Sequence, residues 1–157
     1  MMKEYQIEDI KEFMNDLLVK DRYDSFYLYE ARVKTALDYY IGGKINKSFF
    51  DTDELEGIKE QEYVTWKEIR HSVYDVIRGK RLPISFKIIL MFNRENIERL
   101  VMMNNLPLSP EDIGALFFNI NYANEALTVT TGTSVKVFTM DKTLENTWDD
   151  TVEKYYI

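Results

Sequence analysis

The one histidine of this 157-residue chain, His71, stands in the run Glu68-Ile69-Arg70-His71-Ser72-Val73-Tyr74-Asp75. Glu68 and His71, three residues apart on a helix, would present a carboxylate and an imidazole one turn apart, which is half of a di-iron carboxylate site. Such a site needs a second pair and further carboxylates from other helices, and the sequence offers neither. His71 therefore reads as a surface or boundary residue. Ser72, His71 and Asp75 make no nucleophilic triad, because sequence neighbours diverge on a helix. With no cysteine there is no thiol nucleophile, disulfide framework or Cys-based metal site. Asp51-Thr52-Asp53-Glu54 and Asp149-Asp150 are the carboxylate candidates for Mg²⁺ or Ca²⁺. The first lacks the glycine and the terminal glutamate of a calcium loop. The two read better as a helix cap and a solvated helix face. Gly42-Gly43 joins strands, and Thr131-Gly132-Thr133-Ser134 lacks the Gly-Lys-Ser/Thr ending of a nucleotide loop. No catalytic residue, metal ligand or cofactor is assigned.

Contact chemistry offers more. The chain carries a formal charge of −7, which argues against broad nucleic-acid binding, since affinity for phosphates comes mainly from Lys and Arg. Between Val64 and Lys87 the balance reverses. Lys67, Arg70, Arg78, Lys80, Arg81 and Lys87 face only Glu68 and Asp75, so this stretch carries +4. Lys67, Arg70 and Arg78 fall near one side of a helix, and Lys80 and Arg81 follow in the connection to a strand. Lys67, Arg70, Arg78, Lys80 and Arg81 are the candidate contacts for a phosphate or an acidic partner, near Tyr63, Trp66 and Tyr74. The 11 Tyr, 9 Phe and 2 Trp read as sheet and core packing, and Met102-Met103 as core filler.

The elements that must position these residues follow from periodicity. Ile10, Phe13, Met14, Leu17 and Leu18 mark one face of a helix over 8–19, with Glu8, Asp9, Glu12 and Asp16 largely opposite. Tyr27, Tyr29, Ala31, Val33, Leu37, Tyr39 and Ile41 alternate with charged residues as one long strand, and Gly42-Gly43 would turn it with positive φ angles. Asp51 to Glu54 resembles a capping box, and Thr65 with Glu68 forms another before a helix over 65–78. Pro83 precedes a buried strand, Ile84 to Phe92, and Asn93 caps a helix over 94–104. Ser109-Pro110 opens a helical turn. Strands then run from Leu116, turning at Ala123-Asn124-Glu125 and again at Gly132-Thr133, and a helix over 142–155 ends the chain.

Residues 5–50 and 84–140 share the order strand, helix, antiparallel strands. Superposing Ile10 on Ile97 sets Phe13-Met14 on Leu100-Val101 and brings Asp24 within one position of Asp112. Two strand–helix–strand–strand–strand units in one domain are similar to a DNA sliding-clamp domain, and Leu127 to Val137 resembles a strand–turn–strand of that fold. The resemblance implies a pseudo-twofold and unit helices rich in Lys and Arg facing DNA. The first unit departs from it, because no turn residue divides Tyr27 to Ile41, and the insert 51–83 is foreign to it. The first helix also exposes acidic residues that repel a phosphate backbone. The whole chain in addition resembles a small bacterial family of unknown function, through Trp66 to Arg70, Gly79 to Arg81 with Pro83 to Lys87, and Thr130 to Ser134. That resemblance implies no activity.

The expected fold is a single α+β domain over 1–157, a mostly antiparallel sheet with packed helices. It has repeat units 1–50 and 84–140, a helical insert 51–83 and a C-terminal helix 142–155. The expected role is a non-catalytic binding or scaffold domain acting through a surface around Trp66 to Lys87, with a protein partner. The alternatives are a nucleic-acid accessory factor using 64–87 and a small carboxylate-dependent hydrolase or transferase. Met1-Met2-Lys3-Glu4-Tyr5 leads into a charged amphipathic segment, and the longest apolar run, Ile88 to Phe92, is too short for a membrane span. The reading is a cytoplasmic protein without a membrane partner.

Overall fold

The computed structural model describes residues 3–157. In chain order the elements are β1 (Glu4–Ile7), α1 (Ile10–Leu18), β2 (Tyr27–Lys34), β3 (Asp38–Gly42), α2 (Thr52–Gly57), α3 (Trp66–Ile77), β4 (Ser85–Met91), α4 (Arg94–Met103), β5 (Ile113–Ala123), β6 (Ala126–Val135) and α5 (Thr143–Tyr155). The helices start where side chains can satisfy the free N–H groups of a first turn. Asp9 caps α1 and Asn93 caps α4, while Asp51 with Glu54 and Thr65 with Glu68 form complete capping boxes on α2 and α3. Ser109 caps a short 3-10 turn at Pro110–Asp112.

The six strands form one antiparallel α+β sheet in the order β1-β6-β5-β4-β2-β3. One face is the core. Leu28, Ala31, Val33, Phe86, Ile88, Leu90, Leu116, Phe118, Ile120, Leu127 and Val129 meet Phe13, Leu17, Trp66, Val73, Trp148 and Val152 from the helices. Tyr23, Phe26, Phe92, Phe118 and Tyr156 form its aromatic centre, with ring centroids 5.1–6.4 Å apart. Arg32, Lys34, Lys87, Asn119, Asn121 and Thr128 lie on the opposite, more open face. No helix among the described residues is long and apolar enough to cross a membrane.

Five local expectations are corrected, the first being Met102-Met103, which is no core filler: at the end of α4 the two residues are 76% and 79% exposed. The alternation from Tyr27 to Ile41 is two strands. The chain reverses at Thr35–Leu37, where the Thr35 N–H donates to the Leu37 carbonyl at 2.9 Å. A bulge between Leu28 and Glu30 also shifts the parity, so Leu28 is buried and Tyr29 faces solvent. Gly42-Gly43 is no positive-φ turn, since no glycine among the described residues has positive φ. The tight hairpin turn is instead Asn124-Glu125, with φ of 53° and 63°. Gly132 does not turn the chain either, because β6 runs through it with Gly132 opposite Phe117. Asp149 belongs to no solvated face. It is buried, accepts a hydrogen bond from the Thr131 hydroxyl, and its backbone carbonyl accepts from the Tyr5 phenol at 3.0 Å.

The order strand–helix–strand–strand does occur twice, as β1-α1-β2-β3 and β4-α4-β5-β6, with one strand fewer per unit than expected. The sheet does not repeat it with twofold symmetry. β4 pairs with β5 of its own unit, whereas β1 leaves its unit and pairs with β6.

Candidate binding groove

The apolar stripe on α1 is wider than the core it covers. Phe13, Leu17 and Leu18 are buried, while Ile10 and Met14 stay half-buried at its margin. On α3, Trp66 and Val73 are buried and Tyr74 and Ile77 are half-buried. The two helices stand side by side, held where the Trp66 indole N–H donates to the Leu17 carbonyl at 2.7 Å. Between their exposed margins lies a cleft of about 1020 Å³. Its apolar lining comes from Ile10, Met14 and Leu18 on one wall and Tyr74, Ile77, Leu82 and Pro83 on the other, with Phe86 and Tyr122 beneath. The last two are a cross-strand pair of β4 and β5 whose rings stack at 5.2 Å. Leu82 is 78% exposed, an unusual position for a leucine.

The lips of the cleft differ in charge. Asp9 and Glu12 stand on the α1 side with Lys11, and Glu125 joins them from the β5–β6 turn. Arg78 and Arg81 stand on the other side. Arg78 is held loosely, by an exposed ion pair to Asp75 at 3.1 Å and a position 5.7 Å from the centre of the Tyr74 ring.

The five candidate residues thus separate. Arg78 and Arg81 line the cleft, and Lys80 is exposed between them. Lys67 is exposed at the opposite end of α3. Arg70 is structural. Its guanidinium makes two hydrogen bonds to the Asp24 carboxylate, at 2.7 and 3.3 Å, and a third to the Val19 carbonyl at 3.2 Å. The Asp24 bond, outweighing partial burial, raises the already high pKa of Arg70. Both side chains are at most 15% exposed. Arg70→Ala is therefore expected to lower stability by about 2 kcal/mol, as for a charged hydrogen-bonded pair losing one member. Arg78→Ala should change it by less than about 0.5 kcal/mol, since its pair is exposed. Urea denaturation of the two variants checks this, and equal effects would contradict it.

Lys87 belongs to a different surface. It follows buried Phe86 on β4 and points to the open sheet face, so the six basic residues of 64–87 do not share one continuous face. Glu68 and His71 make no ligand pair. Burial pushes the Glu68 carboxyl up, but hydrogen bonds from Thr65 and Gln61 outweigh that and hold it below the ordinary glutamate range. His71 is exposed. Among the described residues, no three His, Asp or Glu side chains are grouped to hold a metal ion.

Sequence reasoning missed the floor and the acidic lip of the groove. Leu82, an apolar residue between the basic run Lys80-Arg81 and Pro83, is the available local sign.

A family model described as a family of unknown function (DUF5721) matches residues 16–157. No curated protein and no solved structure matches the chain. Neither these comparisons nor the sheet order shows a similarity to a sliding clamp.

Proposed function

The chain belongs to the DUF5721 family of unknown function, and we propose that it is a binding domain, folded as one unit, whose α1–α3 groove receives the apolar face of an amphipathic peptide helix. The observation that carries this reading is the cleft itself, apolar at its floor and oppositely charged at its two lips. An amphipathic helix in a groove buries apolar anchors at i, i+3, i+4 and i+7 and leaves its flanks to the rim. Here Ile10, Met14, Tyr74, Leu82 and Phe86 would meet the anchors. Arg78 and Arg81 would meet acidic residues on one flank, and Asp9 and Glu12 basic residues on the other. Opposite charges at the lips set the orientation of the ligand, which a uniformly charged rim would not.

Selection from a random-peptide phage library on the immobilised chain tests this reading. The expected consensus has apolar residues at helical spacing with acidic and basic flanks. Leu82→Asp, at an exposed position, should weaken a consensus peptide by about tenfold or more while leaving the melting temperature unchanged. Failure to enrich any such sequence, or equal affinity for the variant, would overturn the proposal. So would a dimer that Leu82→Asp dissolves, because the occupant would then be a second copy of the chain.

A further inference from the structure

The open face of the sheet carries a separate charged feature. β2 and β4 pair so that Arg32 stands opposite Lys87 and Lys34 opposite Ser85. Val33, Phe86 and Ile88, which alternate with them, fill the core face, so all four side chains share the open one. Three cations and a hydroxyl therefore occupy one tile, with neighbours about 5 Å apart across the strands and about 7 Å along them. Like charges directly opposite in a sheet are destabilising, and the arrangement occurs in a chain whose net charge is −7. Glu30 answers only Arg32, at 2.7 Å. Among the described residues neither Lys34 nor Lys87 takes part in an ion pair. Asp38, opposite Lys34 on β3, is among the described residues the only carboxylate lining the cleft beside the tile.

That cleft has a volume of about 450 Å³ and is walled by Tyr40 on one side and Asn121 on the other. The size is that of a small-ligand site. Tyr40 is 59% exposed, and the Arg32 guanidinium lies over its ring 4.5 Å from the centre, which places the ring beside the cations. We propose that this cleft binds a nucleotide. Its phosphate lies on Lys34 and Lys87 with the Ser85 hydroxyl, and its base lies against the Tyr40 ring. Lysines serve phosphate as compact point charges, and a tyrosine face accepts any base by stacking. Phosphate joined to a base is the chemistry of a free nucleotide and equally of one residue in a single strand.

Titration of the full chain with inorganic pyrophosphate, with ATP and with a short oligouridylate, each at low and at physiological salt, tests the proposal. ATP or the oligonucleotide is expected to bind at low salt, and Lys34→Ala with Lys87→Ala to weaken it by at least about tenfold. Tyr40→Ala should weaken both base-carrying ligands by about tenfold and leave pyrophosphate unchanged. Tighter binding of oligouridylate than of ATP assigns the cleft to a single strand, and the reverse assigns it to a free nucleotide. A purely structural role for the lysines would lower thermal stability in the double variant, whereas relief of the like-charge pair should keep or raise it. Absence of binding by every ligand at low salt would overturn the proposal. Binding that survives the double lysine substitution, or an equal loss of pyrophosphate and ATP in Tyr40→Ala, would do the same.

Discussion

Trp66→Ala is expected to destabilise the protein by about 4 kcal/mol, the range for removing a fully buried aromatic side chain, which corresponds to a melting temperature lower by ~8–16 °C. Trp66 has no solvent exposure and is the first residue of α3. Its backbone N–H donates to the Phe26 carbonyl at 2.8 Å and its indole N–H to the Leu17 carbonyl at 2.7 Å. Leu17 lies in the last turn of α1, where carbonyls lack helical partners, so the indole satisfies a group that would otherwise be buried and unpaired. One side chain thus fills the core, closes the end of α1 and sets the spacing of the two groove walls. Trp66→Phe separates these roles. It keeps most of the apolar volume, loses the hydrogen bond, and should lower stability by about 1–3 kcal/mol. Because one tie between the walls is then lost and the Arg70–Val19 bond remains beside the packing, a groove-binding peptide should weaken in Trp66→Phe although no groove-lining residue has changed. Denaturation curves and a peptide titration on the same samples check both effects. A Trp66→Ala variant within about 1 kcal/mol of the parent would contradict this account of the α1–α3 contact.

The helices were legible because their starts are local. Thr65 with Glu68 and Asp51 with Glu54 each place a cap and its reciprocal partner within four residues, and both boxes form. The strand ends were less legible where the turn chemistry is unusual. Thr35-Ala36-Leu37 contains none of the residues that mark a hairpin, yet the Thr35 side chain and N–H both reach the Leu37 carbonyl and close the turn. Gly132 sends the opposite false signal, a glycine that stays inside a continuous strand. The candidate site was only half legible. Arg78 and Arg81 share a lip because they lie close in sequence, but Phe86 and Tyr122 reach the floor through a β4–β5 register set by long-range pairing. Arg70 was misread because its partner, Asp24, is distant in sequence and could not be matched to it by periodicity. The Arg32–Lys87 pair likewise depends on which strand β4 chooses as its neighbour.

Gly43→Ala is the second large effect expected, and its cause is a close approach of two backbones. A Cβ at Gly43 would lie 1.8 Å from the Leu28 carbonyl oxygen and 2.6 Å from its carbon, both backbone atoms that cannot swing aside. The position is pinned from two sides, since the Gly43 N–H donates to the Tyr29 carbonyl and its own carbonyl accepts from the Val64 N–H, each at 2.9 Å. These contacts coincide with the bulge between Leu28 and Glu30, where β2 bends and the segment before α3 is let in beside it. Relaxing the clash means breaking one or both hydrogen bonds and moving β3, so a loss of about 3 kcal/mol is expected. Gly42→Ala is the control. The three atoms nearest its Cβ all belong to the Tyr40 side chain, with the hydroxyl closest at 3.1 Å, and that exposed ring can shift. The change should stay within about 1 kcal/mol. Because β3 carries Tyr40 opposite Arg32, displacing it should also disturb the nucleotide cleft while leaving the α1–α3 groove intact. Gly43→Ala is therefore expected to lose ATP or oligouridylate binding and retain peptide binding at a temperature where the variant is still folded. Equal stability of the two glycine variants would show that β2 and β3 are not held as closely as the geometry requires.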